Sequence, residues 1–555
     1  MDSPNPVRGS SLFTSRIADP VTRSPVVRTS RSGGSLSRRI VRAFLLLAPL
    51  VLFVGGQPVV GQTRPPREGP RTAPKRDITP LRRQYDERRS KFQQNLADLA
   101  ERCETDDLAE AADAVRMAAR RFDPETLRVR DLPREIQDSS INDLSETEKG
   151  WRVPLRKERR DYAQDLFALS QKVLGSGHLA FAFDLIREVA HHDPDHAAAR
   201  KALGFVRSGD EWMSPFEARM AREKKVWSDQ FGWIPSEHLE RMTRGERFYK
   251  GRWISAEREA EIRRDFAQAW EIRSEHYLVR TNYSLDKGVD LAAKLEGFHS
   301  LFFQNLAGFF KTPEEFRQLL SGSGGPKIPT KPLVVHFYRS RDEYIARLKR
   351  ETSQHVEVTR GIYFPKTGIA HFFHDPESQD DSTLYHEATH QLLSGARPGH
   401  GEIGVKSDFW PIEGIACYME SFHQDGTDFS FGDPQTLRFQ AARAHFVVEK
   451  YYVPLPEFCR MGMQAYQESR EIKRNYAQGA GLVHFFLHYG EGLYRDEFIE
   501  YLSQIYSTRK ATRDNPERPW EIADVEPELL DRQYADHIRQ LKSPDGQPND
   551  AAASP

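Results

Sequence analysis

His386, Glu387 and His390 stand in the order His-Glu-x-x-His, within the run Thr383-Leu384-Tyr385-His386-Glu387-Ala388-Thr389-His390-Gln391-Leu392. If this stretch is helical, the two imidazoles lie one turn apart on one face, where both ring nitrogens reach a single cation. The carboxylate between them then sits beside that cation, placed to take a proton from an attacking water. A hydrolytic zinc site uses three protein ligands and keeps a fourth position open. A third ligand is therefore required.

Downstream, Phe409 and Trp410 lead into Pro411 and an apolar run to Met419 that Glu413 interrupts. Proline followed by apolar residues predicts a second buried helix starting near Pro411. Glu413 falls in its first turn, and a buried carboxylate is costly unless it is paired or metal-bound. Residues 395–401, rich in Gly and holding Pro398, supply the loop between the two helices. Glu420 lies about two turns beyond Glu413 on the same face. It has two readings: a hydrogen-bond partner for a ligand imidazole, or a solvated carboxylate at a helix end. Asp375, Glu377, Asp380 and Asp381 precede the first helix and complement its positive end, with Ser382 or Thr383 near the cap.

His-Glu-x-x-His followed by Glu413-Gly414-x-Ala416-x-Tyr418 resembles the gluzincin metallopeptidases, the group that includes thermolysin and the zinc aminopeptidases. More narrowly it resembles the peptidase-MA-like domains of exported bacterial proteins. The resemblance spans residues 268–505. It implies an α+β, zincin-like domain, a small mixed sheet plus active-site helices, with Zn2+ held by His386, His390 and Glu413 and with Glu387 as general base. It also implies an edge strand over the cleft that can pair with an extended peptide. The surrounding sequence fits. His276–Asn282 reads as a strand, followed by a helix with Leu291, Leu295 and Phe298. Leu333–Tyr338 reads as a second strand, and 361–364 with 368–373 as a hairpin.

Peptide hydrolysis builds an oxyanion that needs a donor besides the metal. The segment Arg474–Gly490 is similar to the family's late helix, and Tyr476 at its start is the candidate donor. The other reading of Tyr476 is packing beneath that helix's N-terminus. Ala477, Gly479, Ala480 and Gly481 allow a neighbour's backbone to come close. His484 and His488 form an i, i+4 pair with no acid between them, which favours core or surface histidines over a second metal site.

At 555 residues the chain should hold more than one domain. Lys+Arg and Asp+Glu nearly cancel at 80 and 81, so nothing favours a nucleic-acid partner. The 3 cysteines are too few for a disulfide framework, and Cys417 and Cys459 are either paired or buried thiols. Arg38, Arg39 and Arg42 before the apolar run 43–54 read as the n- and h-regions of an export segment, 1–61. That places the protein in the periplasm, the envelope or outside the cell, and on a membrane only if the segment stays uncleaved. A Pro/Arg-rich linker, 62–78, follows.

Leu81, Tyr85, Phe92, Leu96 and Leu99 at helical spacing open a mainly helical region, 79–205, with one tetratricopeptide-like helix pair over 180–204. A protein partner would bind through this region. In 206–265, Trp212, Trp233 and Trp253 recur about every 20 residues. Each precedes a helix start, and Ser214 with Glu217 fits a capping box. These short repeats read as structural spacers. The metallopeptidase domain covers 268–510, and 511–555 forms a C-terminal extension with a disordered tail.

The expected function is zinc-dependent hydrolysis of peptide bonds in a peptide or protein substrate. The alternative is a non-catalytic envelope binding protein in which the metal stabilises a scaffold. A third reading, a zinc hydrolase of a non-peptide amide or cell-wall bond, uses the same residues.

Overall fold

Phe92, Leu96 and Leu99 share one helical stripe, and all three are buried. In the computed structural model they belong to α1 (Thr79–Thr105). The structure describes residues 77–541, apart from 123, 125–128, 137–143, 327, 353–355, 379, 398–402 and 426–427. The expected export segment, most of the linker, the C-terminal tail and part of the loop before Glu413 lie outside the described residues.

Helices α2 (Ala109–Ala118), α3 (Glu146–Gly175), α4 (Leu179–His192) and α5 (Ala197–Ala202) join α1 around Leu166, Leu169, Phe183 and Ile186. The helix pair expected over 180–204 is unequal. Helix α4 has 14 residues and α5 only 6, so α4 packs chiefly along the 30-residue α3. Glu188 on α4 is buried in this core and accepts the hydroxyls of Tyr85 (3.0 Å) and Tyr162 (2.9 Å). Burial pushes its carboxyl up to about 7.

Each tryptophan repeat is a β-hairpin followed by a helical turn, an arrangement the sequence reading left out. The strands are β1 (Val206–Ser208) with β2 (Glu211–Met213), then α6 (Pro215–Arg222). Next come β3 (Lys225–Ser228) with β4 (Gly232–Pro235) and α7 (Leu239–Thr243), and finally β5 (Glu246–Tyr249) with β6 (Arg252–Ser255) and α8 (Ala256–Arg263). Trp212, Trp233 and Trp253 all sit in the second strand of their hairpin. The expected capping box forms: Glu217 N–H donates to Ser214 Oγ (3.1 Å), and Ser214 N–H donates to Glu217 (2.9 Å). Trp212 ties the first unit to the helical region through Asp195 (2.9 Å). Gly232 of the second unit lies against Ile272 and Val289 of the sheet region.

The sheet that follows has five strands in the order β10-β11-β9-β8-β7. They are β7 (Trp270–Arg273), β8 (Tyr277–Thr281), β9 (Leu333–Tyr338), β10 (Gly361–Phe364) and β11 (Ile369–Phe373). Strands β8, β9 and β11 are mutually parallel, while β7 and β10 run antiparallel at the two edges. Helices α9 (Leu285–Asn305), α10 (Ala307–Phe310) and α11 (Pro313–Leu320) make the crossover from β8 to β9, and α12 (Arg341–Leu348) follows β9. Leu291, Leu295 and Phe298 of α9 enter the main core as expected.

Beyond the sheet come α13 (Ser382–Ala396) and α14 (Trp410–Met419), then a small hairpin of β12 (His423–Asp425) and β13 (Asp428–Ser430). The rest is helical: α15 (Leu437–Val447), α16 (Leu455–Arg460), α17 (Met463–Gln467), α18 (Ile472–His488), α19 (Arg495–Ile505), α20 (Lys510–Asp514), α21 (Pro519–Ala523) and α22 (Pro527–Gln540). The chain is thus of mixed α+β class. No helix among the described residues is long and apolar enough to cross a membrane.

Helices α14 and α18 cross at Gly414 and Gly479, where a Cβ added at Gly414 would lie 2.8 Å from the Gly479 carbonyl oxygen. Backbone cannot yield there as a side chain would. Gly414→Ala should therefore cost about 1–3 kcal/mol in urea unfolding. Gly150→Ala, inside α3 with nothing within 4 Å of the new carbon, should instead add about 0.5–1 kcal/mol. Equal effects at the two sites would refute the close crossing.

Candidate metal centre

Helix α13 is buried from Leu384 to Leu393, so its polar residues must find partners inside. Gln391 fixes its height under the sheet by donating to the carbonyls of Val334 (2.8 Å) and Gly368 (2.9 Å). Ahead of the helix, Asp380 accepts Ser382 N–H (2.9 Å), and Asp381 pairs with Lys294 (2.6 Å).

With α13 so placed, His386 and His390 project toward α14 and Glu413. The His386 and His390 Nε2 atoms are 3.3 Å apart. Glu413 Oε2 lies 3.5 Å from the first and 3.8 Å from the second. Ligand bonds of about 2.0–2.1 Å in a tetrahedron set its edges near 3.3–3.4 Å. The triangle has that size or slightly more. Glu413 Oε2 is buried and makes no hydrogen bond, which is the mark of a group that awaits a cation. The donor set fits a divalent ion of the zinc type. His390 is the most open of the three at 8 % exposure, against 2 % for His386 and 1 % for Glu413.

The protonation of the cluster fits the same reading. Burial pushes His390 down to about 4, leaving a neutral imidazole with a lone pair to give. Burial also disfavours charge on His386, but Cys417, Glu413 and Glu420 outweigh it and raise that ring well above its ordinary value. The field at His386 thus favours positive charge at that ring. Despite burial, the neighbouring His390 and His386 rings keep Glu413 below its usual value.

Behind His386, Nδ1 lies 2.9 Å from Glu420 Oε1. Glu420 is in turn held by Arg438 of α15 through two bonds, 2.6 and 2.9 Å. Although Glu420 is buried, the Arg438 charge draws its carboxyl down to about 2. Of the two sequence readings of Glu420, the structure gives the imidazole partner. This contact orients the ring and turns its Nε2 toward His390 and Glu413. Arg438 was not anticipated. Nothing in its spacing marks it, because only the packing of α15 on α18 brings Arg438 to Glu420.

Glu387 sits beside the triangle, 1 % exposed. Its Oε2 accepts the backbone N–H of Tyr363 on edge strand β10 (2.8 Å), while Oε1 has no partner. Burial pushes its carboxyl up to about 7, the range in which a carboxylate exchanges protons readily. Tyr476 lies under Glu413 and packs edge-on to Tyr466 with ring centroids 5.3 Å apart. Its hydroxyl is buried close to Glu413 and Gln467, and burial keeps it protonated.

His484 and His488 belong elsewhere. His484 bonds His537 (2.8 Å) and the Gly432 carbonyl (3.1 Å), and His488 bonds the Tyr418 hydroxyl (2.6 Å). The three cysteines are free and buried, so Cys417 and Cys459 do not pair. A cleft of about 1000 Å³ opens at the N-terminal end of α13, between Phe372, His374, Tyr385 and Phe422. It reaches Glu420 but none of the three ligand residues, so it lies next to the centre rather than over it. No protein-family model and no curated protein matches the chain.

Replacing Glu420 with Ala should weaken zinc binding by about 10–100-fold, read by competition with a chelating dye. Unchanged affinity would mean that Glu420 only neutralises Arg438.

Proposed function

We propose that the protein is an exported zinc metallopeptidase of gluzincin type, with the zincin-like domain formed by β7–β11 and α9–α19. The observation that carries this reading is the triangle of His386, His390 and Glu413 with the half-satisfied Glu387 beside it. Supporting it are the antiparallel edge strand β10 next to the ligand helix and a third ligand in the first turn of a second helix. His386, His390 and Glu413 hold the ion. Zinc, when bound, supplies a Lewis acid that polarises the scissile carbonyl and makes water a better nucleophile.

Glu387 takes the proton of the attacking water on its free Oε1 and passes it to the leaving amine, while Tyr363 N–H steadies Oε2. A carboxyl near pH 7 suits both halves of that transfer. Tyr476 stays a phenol and so remains a donor. In this reading it serves the developing oxyanion if substrate binding turns its hydroxyl past Glu413. Edge strand β10 offers backbone groups to an extended peptide, which makes a peptide or protein the substrate.

The deep burial of the ligands also suits a second reading, a metal-stabilised scaffold without turnover. One variant separates the two. Glu387→Gln should keep one zinc per chain by elemental analysis and lower peptide-library cleavage by at least about 10²–10⁴-fold. Cleavage at the parent rate would remove Glu387 from the mechanism. A parent chain that holds zinc and cleaves nothing would favour the scaffold.

A further inference from the structure

Helix α14 brings Glu413 to the metal centre, yet it starts without a side-chain cap: its N-cap residue is Phe409. Its entry is set instead by Asp408, a buried non-glycine residue with φ of +61°. Left-handed backbone at such a residue persists only where its surroundings over-determine it. Here they do. Asp408 N–H donates to the Cys459 carbonyl (2.8 Å), and Phe409 N–H to the Met461 carbonyl (3.2 Å). The Asp408 carboxylate accepts Ser407 Oγ (2.6 Å), Tyr501 Oη (2.5 Å) and a guanidinium N–H of Arg518. Gly404 and Gly462 let the two segments close: a Cβ at Gly462 would lie 2.2 Å from the Val405 carbonyl oxygen.

Arg518 comes from the C-terminal extension, 110 residues away along the chain. That extension is anchored through Leu530, Tyr534 and Ile538, all buried in the main core. We propose that Arg518 is a positioning residue for the metal centre: by neutralising and holding Asp408, the extension sets the first turn of α14 and with it Glu413. The inference rests on the metallopeptidase reading for its purpose, but the clasp itself is independent of metal.

The test uses the full chain and three variants, Arg518→Met, Arg518→Lys and Tyr501→Phe. Zinc affinity is measured by dye competition, and amide exchange is followed in 410–416 with α9 as the internal control. Arg518→Met should bind zinc at least about 10-fold more weakly, as loss of a group supporting a ligand does. It should also speed exchange in 410–416 and leave α9 unchanged. Arg518→Lys should recover most of both losses. If Arg518→Met does not fold, Tyr501→Phe should show the same pattern in weaker form, since it removes one donor and no charge. Parent-like affinity and exchange in the variants would overturn the proposal, as would equal acceleration in α9, which marks a general loss of stability. If the parent binds no zinc, the metallopeptidase reading fails, and the exchange comparison still decides the clasp.

Discussion

Glu387 and Glu413 are buried and Glu420 nearly so around His386, and such a group of carboxylates is stable only if positive charge joins it or a proton neutralises a member. Arg438 answers Glu420 from one side. The carboxylates around His386 raise that ring's affinity for a proton, and Glu413 Oε2, which makes no hydrogen bond, faces both imidazoles. A divalent ion at the triangle would add positive charge beside all of these groups. In the proposed reading, metal binding would couple to the packing of α13 on α14, because His386 and His390 come from one helix and Glu413 from the other. Much of the remaining architecture can be understood as the frame that holds α13 and α14 in register.

That frame is drawn from the whole described chain. Gln391 hangs α13 from the sheet, and the Gly414–Gly479 crossing seats α14 on α18. The N-terminal helices are fastened to the turn after α18. Arg82 donates to the Gly490 and Glu491 carbonyls, and the Ala180 N–H donates to Asp496 at the start of α19. The hairpin units bridge the helical core and the sheet by way of Trp212 and Gly232. The extension after α19 closes the far side through Tyr452 and Leu455 on Asp531.

The parts legible in sequence were those with a short-range signature. The i, i+4 histidines and the proline before an apolar run located α13 and α14, and β9 appears with the boundaries read from its apolar stretch. The hairpins of the tryptophan units were not legible. Their strands of 3 or 4 residues are too short to show alternation, so only the tryptophans and the helix starts stood out. The second helix of the expected pair is only 6 residues long, although the apolar spacing gave its place. Arg438, Arg518 and the left-handed Asp408 were invisible because each acts across a long loop or a long stretch of chain. A charge paired only in the folded state looks like any solvated charge in sequence.

The most direct test is zinc X-ray absorption fine structure on the full chain loaded with one equivalent of zinc. The expected result is a first shell of about four nitrogen and oxygen ligands near 2.0–2.1 Å, with the outer scattering of two imidazoles and no sulfur. A sulfur ligand near 2.3 Å, from Cys417 in place of Glu413, or zinc lost on simple desalting, would contradict it.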